Sequence, residues 1–267
     1  MRILLFSGSH SRHVYAHKQL IENFNIAGIV CMKRESQIMQ PPNGLYGTDK
    51  DNFIRHFKER NEIELSTYGN LNDDFYLNVA PLLKISPQEL NSVKVLNFIN
   101  KLKADACFIF GVDLILDPII DNLPKLKINL HLGLSPWFKG SATLFWPFYF
   151  LQPQYAGSTI HFIVKDADAG KIIHQDTPLL EYGQGIHQVG ANVVLESVKS
   201  VIKIFARIKI NEEIKAVKQK SMGRLFLTRD FHPSHLRVIY GIFDNKIVDN
   251  YLDKTLDQRK PKLIKLF

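Results

Sequence analysis

The chain has 267 residues, 45% hydrophobic, 11% aromatic and 22% charged, a composition that excludes a disordered or fibrous protein. The length exceeds one average domain without reaching two, so one large domain with an appendage is expected. Against 26 Asp and Glu stand 34 Lys and Arg, leaving a formal charge of +8, which favours anionic partners such as phosphates, nucleic acid or acidic membrane without choosing among them.

The two cysteines, Cys31 and Cys107, sit inside apolar runs, which excludes a disulfide-stapled secreted fold. The apolar start RILLF is too short for a signal peptide, and no apolar run has membrane-spanning length, so a cytoplasmic protein without membrane association is expected.

Residues 2–6 form a continuous apolar run closed by Ser7, Gly8 and Ser9. A helix over 15–23 and a second apolar run over 26–32 complete a unit of βαβ size. Residues 49–65 alternate in charge, with Phe53, Ile54, Phe57 and Ile63 at helical spacing, and predict an exposed amphipathic helix inserted between core elements. A short strand is expected over 79–83. The clearest helix start follows: Ser86 as N-cap, Pro87 at the first helical position and Glu89 completing a capping box for a helix over 86–102. Residues 106–111 read as a buried strand, 116–122 as a short helix around Pro118, and 127–131 as the next strand. This alternation predicts an α/β protein with a Rossmann-like, doubly wound, mostly parallel sheet. Residues 158–165 and 171–176 predict a β-hairpin closed by Asp168, Ala169 and Gly170, and 187–208 a long helix carrying Val193, Val194, Val198, Val201, Ile202 and Phe205 on one side. A main domain over 1–208 and a small C-terminal extension over 209–267 are therefore expected.

The first turn, SGSHSRH, places backbone amides and a helix N-terminus where an anion can sit. It has no GxGxxG and no GxxxxGK[ST], so a dinucleotide or P-loop reading loses its support. Either it is a tight βα turn filled by small polar residues, or Ser9, His10, Arg12 and His13 contact a phosphate-bearing substrate. Lys33 and Arg34 follow the second strand at the ligand-binding end of such a sheet and are candidates for the same anion, or a solvated surface cluster. His232 and His235 have metal-like spacing, but Pro233 lies between them and no third ligand follows the pattern, so no metal is expected.

The strongest chemical signal lies between Ile128 and Gln175. Asn129 and His131 are two apart on a strand, so their side chains leave the same face. Asp168 occupies the turn DADAG, whose geometry can return a carboxylate to the end of that strand. An imidazole supported by a carboxylate, beside an amide aimed at a developing oxyanion, makes an acyl-transfer site without a nucleophilic serine or cysteine.

These residues resemble the signature of the folate-dependent formyltransferases, which include enzymes acting on glycinamide ribonucleotide, methionyl-tRNA and nucleotide-linked amino sugars. That signature runs Asn-x-His, Leu-x-Pro-x-x-x-Gly, Gly-x-Thr-x-His and Asp-x-Gly. Here the elements are Asn129 and His131; Leu134, Pro136 and Gly140; Gly157, Thr159 and His161; and Asp168 and Gly170. The sequence departs after His131, reading Leu132-Gly133-Leu134 where purine and tRNA enzymes have Pro-x-Leu; this version resembles a branch linked to surface-sugar (O-antigen, lipopolysaccharide) biosynthesis.

The resemblance implies 10-formyltetrahydrofolate as formyl donor and no metal. The pterin would lie between Gly111, Val112, Leu114, Ile115 and Leu116 on one loop and Asp166 to Gly170 on the other. Asn129 and protonated His131 would stabilise the oxyanion formed as an amine attacks the formyl carbon, while Asp168 would support His131 and order water. His161 would be structural. In the aromatic run from Trp137 to Phe150, most side chains are expected in the core, with Trp137 a candidate for stacking on a base or sugar.

The leading expectation is an N-formyltransferase for a nucleotide-linked amino sugar. A methionyl-tRNA enzyme of the family carries a C-terminal β-barrel larger than the tail here, and a formyltetrahydrofolate hydrolase carries an N-terminal regulatory domain, whereas here the first strand begins at Arg2. A non-catalytic nucleic-acid-binding module would explain the charge, but the basic residues are scattered and no RNA motif is present, so no nucleic-acid partner is expected. The aromatic segment 226–240 suggests a homodimer.

Overall fold

Apolar runs buried on both faces become the strands of a parallel sheet, because helices must cover each side. In the computed structural model, which describes residues 1–219 and 223–267, β1 (Arg2–Gly8), α1 (Ser11–Asn23), β2 (Asn25–Met32), α2 (Gly47–Tyr68), β3 (Leu82–Ile85), α3 (Val93–Leu102), β4 (Ala106–Phe110), α4 (Ile119–Asn122) and β5 (Leu126–His131) alternate along the chain. Beyond them come β6 (Phe138–Gly140), α5 (Trp146–Tyr149), β7 (Ser158–Phe162), β8 (Ile172–Asp176), α6 (Ile186–Lys209), β9 (Arg224–Phe226) and α7 (Ile247–Leu252).

The seven-stranded sheet has the order β3-β2-β1-β4-β5-β7-β8. It is parallel from β3 to β5, and β7 and β8 add an antiparallel hairpin. This is the doubly wound sheet that the apolar runs predict. The chain leaves β1 for β2 on one side and returns to β4 on the other, so the carboxyl ends of β1 and β4 form the switch point where such sheets bind ligands.

Alternation along β1 sends Ile3 and Leu5 to one face and Leu4 and Phe6 to the other. The first face packs with Val14, Leu20, Val198, Val201 and Phe205 of α1 and α6, and the second with Val95, Ile99 and Ile119 of α3 and α4. A third cluster joins Phe53 and Phe57 of α2, Trp146 and Phe148 of α5, and Phe226 and Tyr240.

Three expectations are corrected. The strand expected at 79–83 lies at Leu82–Ile85: Pro81 has no N–H for a ladder, and its carbonyl begins the pairing by accepting from Ile29 N at 2.8 Å. The capping box at Ser86 forms on a single 3₁₀ turn, Pro87–Glu89, and the α-helix restarts at Val93. Asn91, between the two, holds another loop, accepting from Leu116 N and donating to the Leu114 carbonyl. Helix α2 is not merely exposed: Phe53, His56, Phe57 and Tyr68 are buried, whereas Ile54, read as part of the apolar face, is 44% exposed. Within the aromatic segment 226–240, Phe226 and Tyr240 are buried in the chain's own core, while Leu227 is 40% exposed.

Described residues after α6 pack on the main sheet, where Ile264 meets β8, and on the loop beyond β5. β9 pairs in parallel with β6, and Phe226 stacks on Trp146 at 4.6 Å between ring centres. No helix among the described residues is long and apolar enough to cross a membrane.

Candidate active site

His131 ends β5, and Asp168 lies in the loop between β7 and β8, where it adopts the left-handed φ of 49° that Asp tolerates. That turn brings the Asp168 carboxylate to the imidazole: Oδ2 is 3.2 Å from His131 Nδ1 and 3.0 Å from the Gly140 N–H that donates to it. Burial by itself would raise the Asp168 pKa, but the positive potential of His131, the His161 ring and the Gly140 N–H hold it well below the usual carboxylate range. His131 is 7% exposed.

The far nitrogen of His131 has a partner that the sequence did not announce. Nε2 lies 2.9 Å from the Phe138 carbonyl oxygen. A Cβ on Gly133 would fall 2.6 Å from both that nitrogen and that oxygen, so the contact requires glycine at 133. Asn129 shares the strand face, with its amide nitrogen 3.1 Å from His161 Nε2. His161 Nδ1 donates to the Phe162 carbonyl at 2.9 Å, and its Nε2 faces both the Asn129 amide and, at 3.5 Å, Asp168 Oδ1. His161 thus touches both Asn129 and Asp168.

The two loops named as the pterin pocket converge. Lys165 Nζ, from the hairpin loop, is 2.8 Å from Asp117 and 3.5 Å from Asp121, beyond the loop that follows β4. Leu114 and Leu116 stand 48% and 49% exposed, while the Ile115 side chain is buried in the core with Ile119. Gly111 and Val112 are half-buried at the switch point, and Asp166 is exposed at the hairpin tip. Gly170 lies hard against the Phe162 carbonyl, leaving no room for a side chain.

The first-turn residues also come together, but already paired with one another. The Arg34 N–H donates to Ser9 Oγ at 2.8 Å. Arg12 pairs with Glu64 of α2, and Arg34 with Asp113 at 2.6 Å and Glu35 at 3.1 Å. Burial, then the Arg12 guanidinium, lowers His10 to about 4, and burial holds His13 well below its ordinary value. Neither ring is charged near neutral pH. His13 fills the crevice between Gly8 and Gly111, with Nδ1 buried and unpartnered. Lys33 is exposed.

On the other side of β6, a cleft of about 440 Å³ is lined by Trp137, Phe150, Tyr155 and Phe226, with Arg224 and Arg259 among its lining residues. Trp137 meets Tyr155 edge-to-face at 5.7 Å. The sequence pointed to Trp137 alone; the two arginines come from the C-terminal extension, where neither motif nor periodicity marks them. No cluster of three His, Cys, Asp or Glu side chains suited to a metal ion occurs among the described residues.

A family model described as formyl transferase matches residues 1–200. The bifunctional polymyxin resistance protein ArnA of Wigglesworthia glossinidia brevipalpis is 34% identical over 90 residues, 33% of this chain and 14% of that protein. The methionyl-tRNA formyltransferase of Bacteroides thetaiotaomicron is 23% identical over 237 residues, 82% of this chain and 60% of that protein. The chain thus spans less than two thirds of either relative. Among solved structures, the formyltransferase PseJ from Anoxybacillus kamchatkensis, in complex with UDP-4,6-dideoxy-4-formamido-L-AltNAc and tetrahydrofolate, shares the fold with a TM-score of 0.52 at 16% identity, over 92% of this chain and 96% of that one.

Proposed function

Because the chain belongs to the formyl transferase family, we propose that it moves a formyl group from 10-formyltetrahydrofolate to the amine of a nucleotide-linked amino sugar. The observation that carries this reading is the convergence of Asn129, His131 and Asp168, with His131 Nδ1 3.2 Å from the carboxylate. The acceptor nitrogen attacks the formyl carbon, and the carbonyl oxygen becomes an oxyanion. A protonated His131 and the Asn129 amide stabilise that oxygen. The bond from the carbon to the folate nitrogen then breaks, and the proton lost by the amine passes through water beside Asp168 to the leaving nitrogen, giving a formamide and tetrahydrofolate. The donor is the second substrate, and the exposed Leu114 and Leu116 beside the hairpin loop suit the flat apolar faces of its pterin and aryl ring.

Two features favour a nucleotide-linked sugar as acceptor. The cleft beside β6 combines aromatic faces with the guanidinium groups of Arg224 and Arg259, and although Arg259 pairs with Asp257 of the same lining at 2.7 Å, both groups are exposed enough for a diphosphate to compete while the rings take a base. The fold is shared with an enzyme whose structure holds a UDP-linked formamido sugar and tetrahydrofolate. The positive charge of the chain suits two anionic substrates.

The deciding experiment offers the protein 10-formyltetrahydrofolate with dTDP-, GDP- and UDP-linked amino sugars, and with methionyl-tRNA, and detects formylated product by mass. Product from at least one nucleotide sugar, reduced at least a hundredfold in His131→Ala, is expected. Formylation of methionyl-tRNA alone would overturn the acceptor assignment.

A further inference from the structure

Gln175 lies on β8 and is buried, with 1% of its surface exposed, and nothing in the transfer chemistry requires an amide there. Its hydrogen bonds run in two directions. Inward, Nε2 donates to the Ser135 carbonyl at 2.6 Å and to Thr159 Oγ1 at 3.3 Å. Thr159 Oγ1 in turn donates to the Gly133 carbonyl at 2.7 Å and accepts from Ser135 N at 2.9 Å. Three main-chain groups of the turn after His131 are thus fixed by two side chains. The same turn places Phe138, whose N–H donates to the Leu134 carbonyl at 2.9 Å and whose own carbonyl meets His131 Nε2.

Outward, the Gln175 Oε1 accepts from Ile264 N at 3.1 Å, and the Gln175 N–H donates to the Ile264 carbonyl at 2.8 Å. The neighbouring residues continue this seam along the edge strand. Leu266 N donates to His174 Nδ1 at 3.0 Å, Lys265 reaches Asp176 at 3.1 Å, and the Phe267 ring stacks on His174 at 4.4 Å. The last torsion of a Gln side chain is broad and roughly two-fold, so the partners at its two ends decide which way the amide faces. Here the tail supplies the donor that faces Oε1 and so directs Nε2 toward the turn.

We infer that Gln175 is a positioning residue for formyl transfer, and that residues 264–267 act through it, so that docking of this tail on β8 sets the geometry of the turn that carries Gly133 and Phe138 beside His131. The inference rests on the formyl transfer reading for its kinetic readout. Its structural readout is independent of that reading.

Two substitutions separate the directions. Gln175→Glu keeps an acceptor for Ile264 N but loses both donations to the turn, and Ile264→Pro removes the outer donor while leaving Gln175 intact. In both, kcat for formyl transfer is expected to fall, about tenfold or more for Gln175→Glu and about threefold to tenfold for Ile264→Pro, while the KM for each substrate changes less than threefold. Amide hydrogen exchange at Ser135 and Phe138 is expected to speed up at least tenfold in each, with exchange along β1 and β4 unchanged. Unchanged kcat and unchanged exchange in Ile264→Pro would overturn the inference, as would a rise in KM at constant kcat. Should wild type formylate no acceptor, the proposed function fails, and exchange at Ser135 and Phe138 in Ile264→Pro still decides whether the tail holds the turn.

Discussion

The Phe138 carbonyl oxygen closes the open end of His131, 2.9 Å from Nε2, while Asp168 Oδ2 closes the other end, 3.2 Å from Nδ1. Both partners are acceptors, so both contacts are satisfied together only when each ring nitrogen carries a proton. Only the Nε2 donor faces away from Asp168, so under the proposed function an oxyanion would have to take the place of the Phe138 carbonyl at that nitrogen.

Asp168→Asn keeps an acceptor for the Gly140 N–H and removes the charge facing His131. The rate of transfer should fall about 10²- to 10⁴-fold, and folding stability by about 1–3 kcal/mol, because a charge-assisted bond is lost. Single-turnover kinetics together with urea unfolding check both. A rate within threefold of wild type would remove Asp168 from the mechanism.

Gly133→Ala places a methyl group 2.6 Å from both His131 Nε2 and the Phe138 oxygen. The backbone or the ring must shift, at a cost of about 1–3 kcal/mol, and the rate should fall about a hundredfold through misplacement of the imidazole. Thermal unfolding and kcat measured on one preparation test this; full activity would mean that the His131–Phe138 contact is incidental.

Arg224 and Arg259 line the cleft beyond β6. Replacing both by Ala should raise the KM for a nucleotide-linked sugar at least tenfold, about 1.4 kcal/mol of lost binding, with kcat and the KM for the formyl donor unchanged. A fall in kcat alone would place the diphosphate elsewhere.

Phe226 is 2% exposed and stacks on both Trp146 and Phe138. Phe226→Ala should cost about 3–5 kcal/mol and also slow transfer, since β9 supports β6, which supplies the Phe138 carbonyl and the Gly140 N–H. Loss of stability with fully retained kcat would separate the extension from the site.

Burial lowers His17 to about 4 and His187 to about 3, from an ordinary value of 6.5. Because their folded pKa values are depressed, the stability linked to them is complete above about 6.5 and is lost as pH falls toward 4, where the unfolded chain binds protons that the folded one refuses. Urea unfolding between pH 7.5 and 5 should show stability falling on acidification, and His187→Phe should flatten that slope by up to about 1.4 kcal/mol per pH unit. A slope unchanged by this substitution would mean that His187 binds protons equally in the folded and unfolded chains, so that its folded pKa is not depressed.

The sequence by itself determined the sheet and the shared face of the candidate site groups, because both are local facts. Apolar runs of strand length alternating with helical segments leave few alternatives to a parallel α/β sheet, and Asn129 and His131, two apart on a strand, must share a face. A turn-forming DADAG could be read, but not where its carboxylate would land. Tertiary structure decided the rest. It set the Phe138 carbonyl against His131, since a main-chain oxygen leaves no mark in a residue pattern. Arg12 was paired with Glu64 and Arg34 with Asp113, 52 and 79 positions away in the chain, so the charge from which an anion site was read met partners beyond any local window. The extension after α6 was folded onto β6 and β8, giving Gln175 a partner at Ile264 that is 89 residues distant. Periodicity and motifs report what a segment does by itself; the environment of each site group was decided by contacts between segments that only folding brings together.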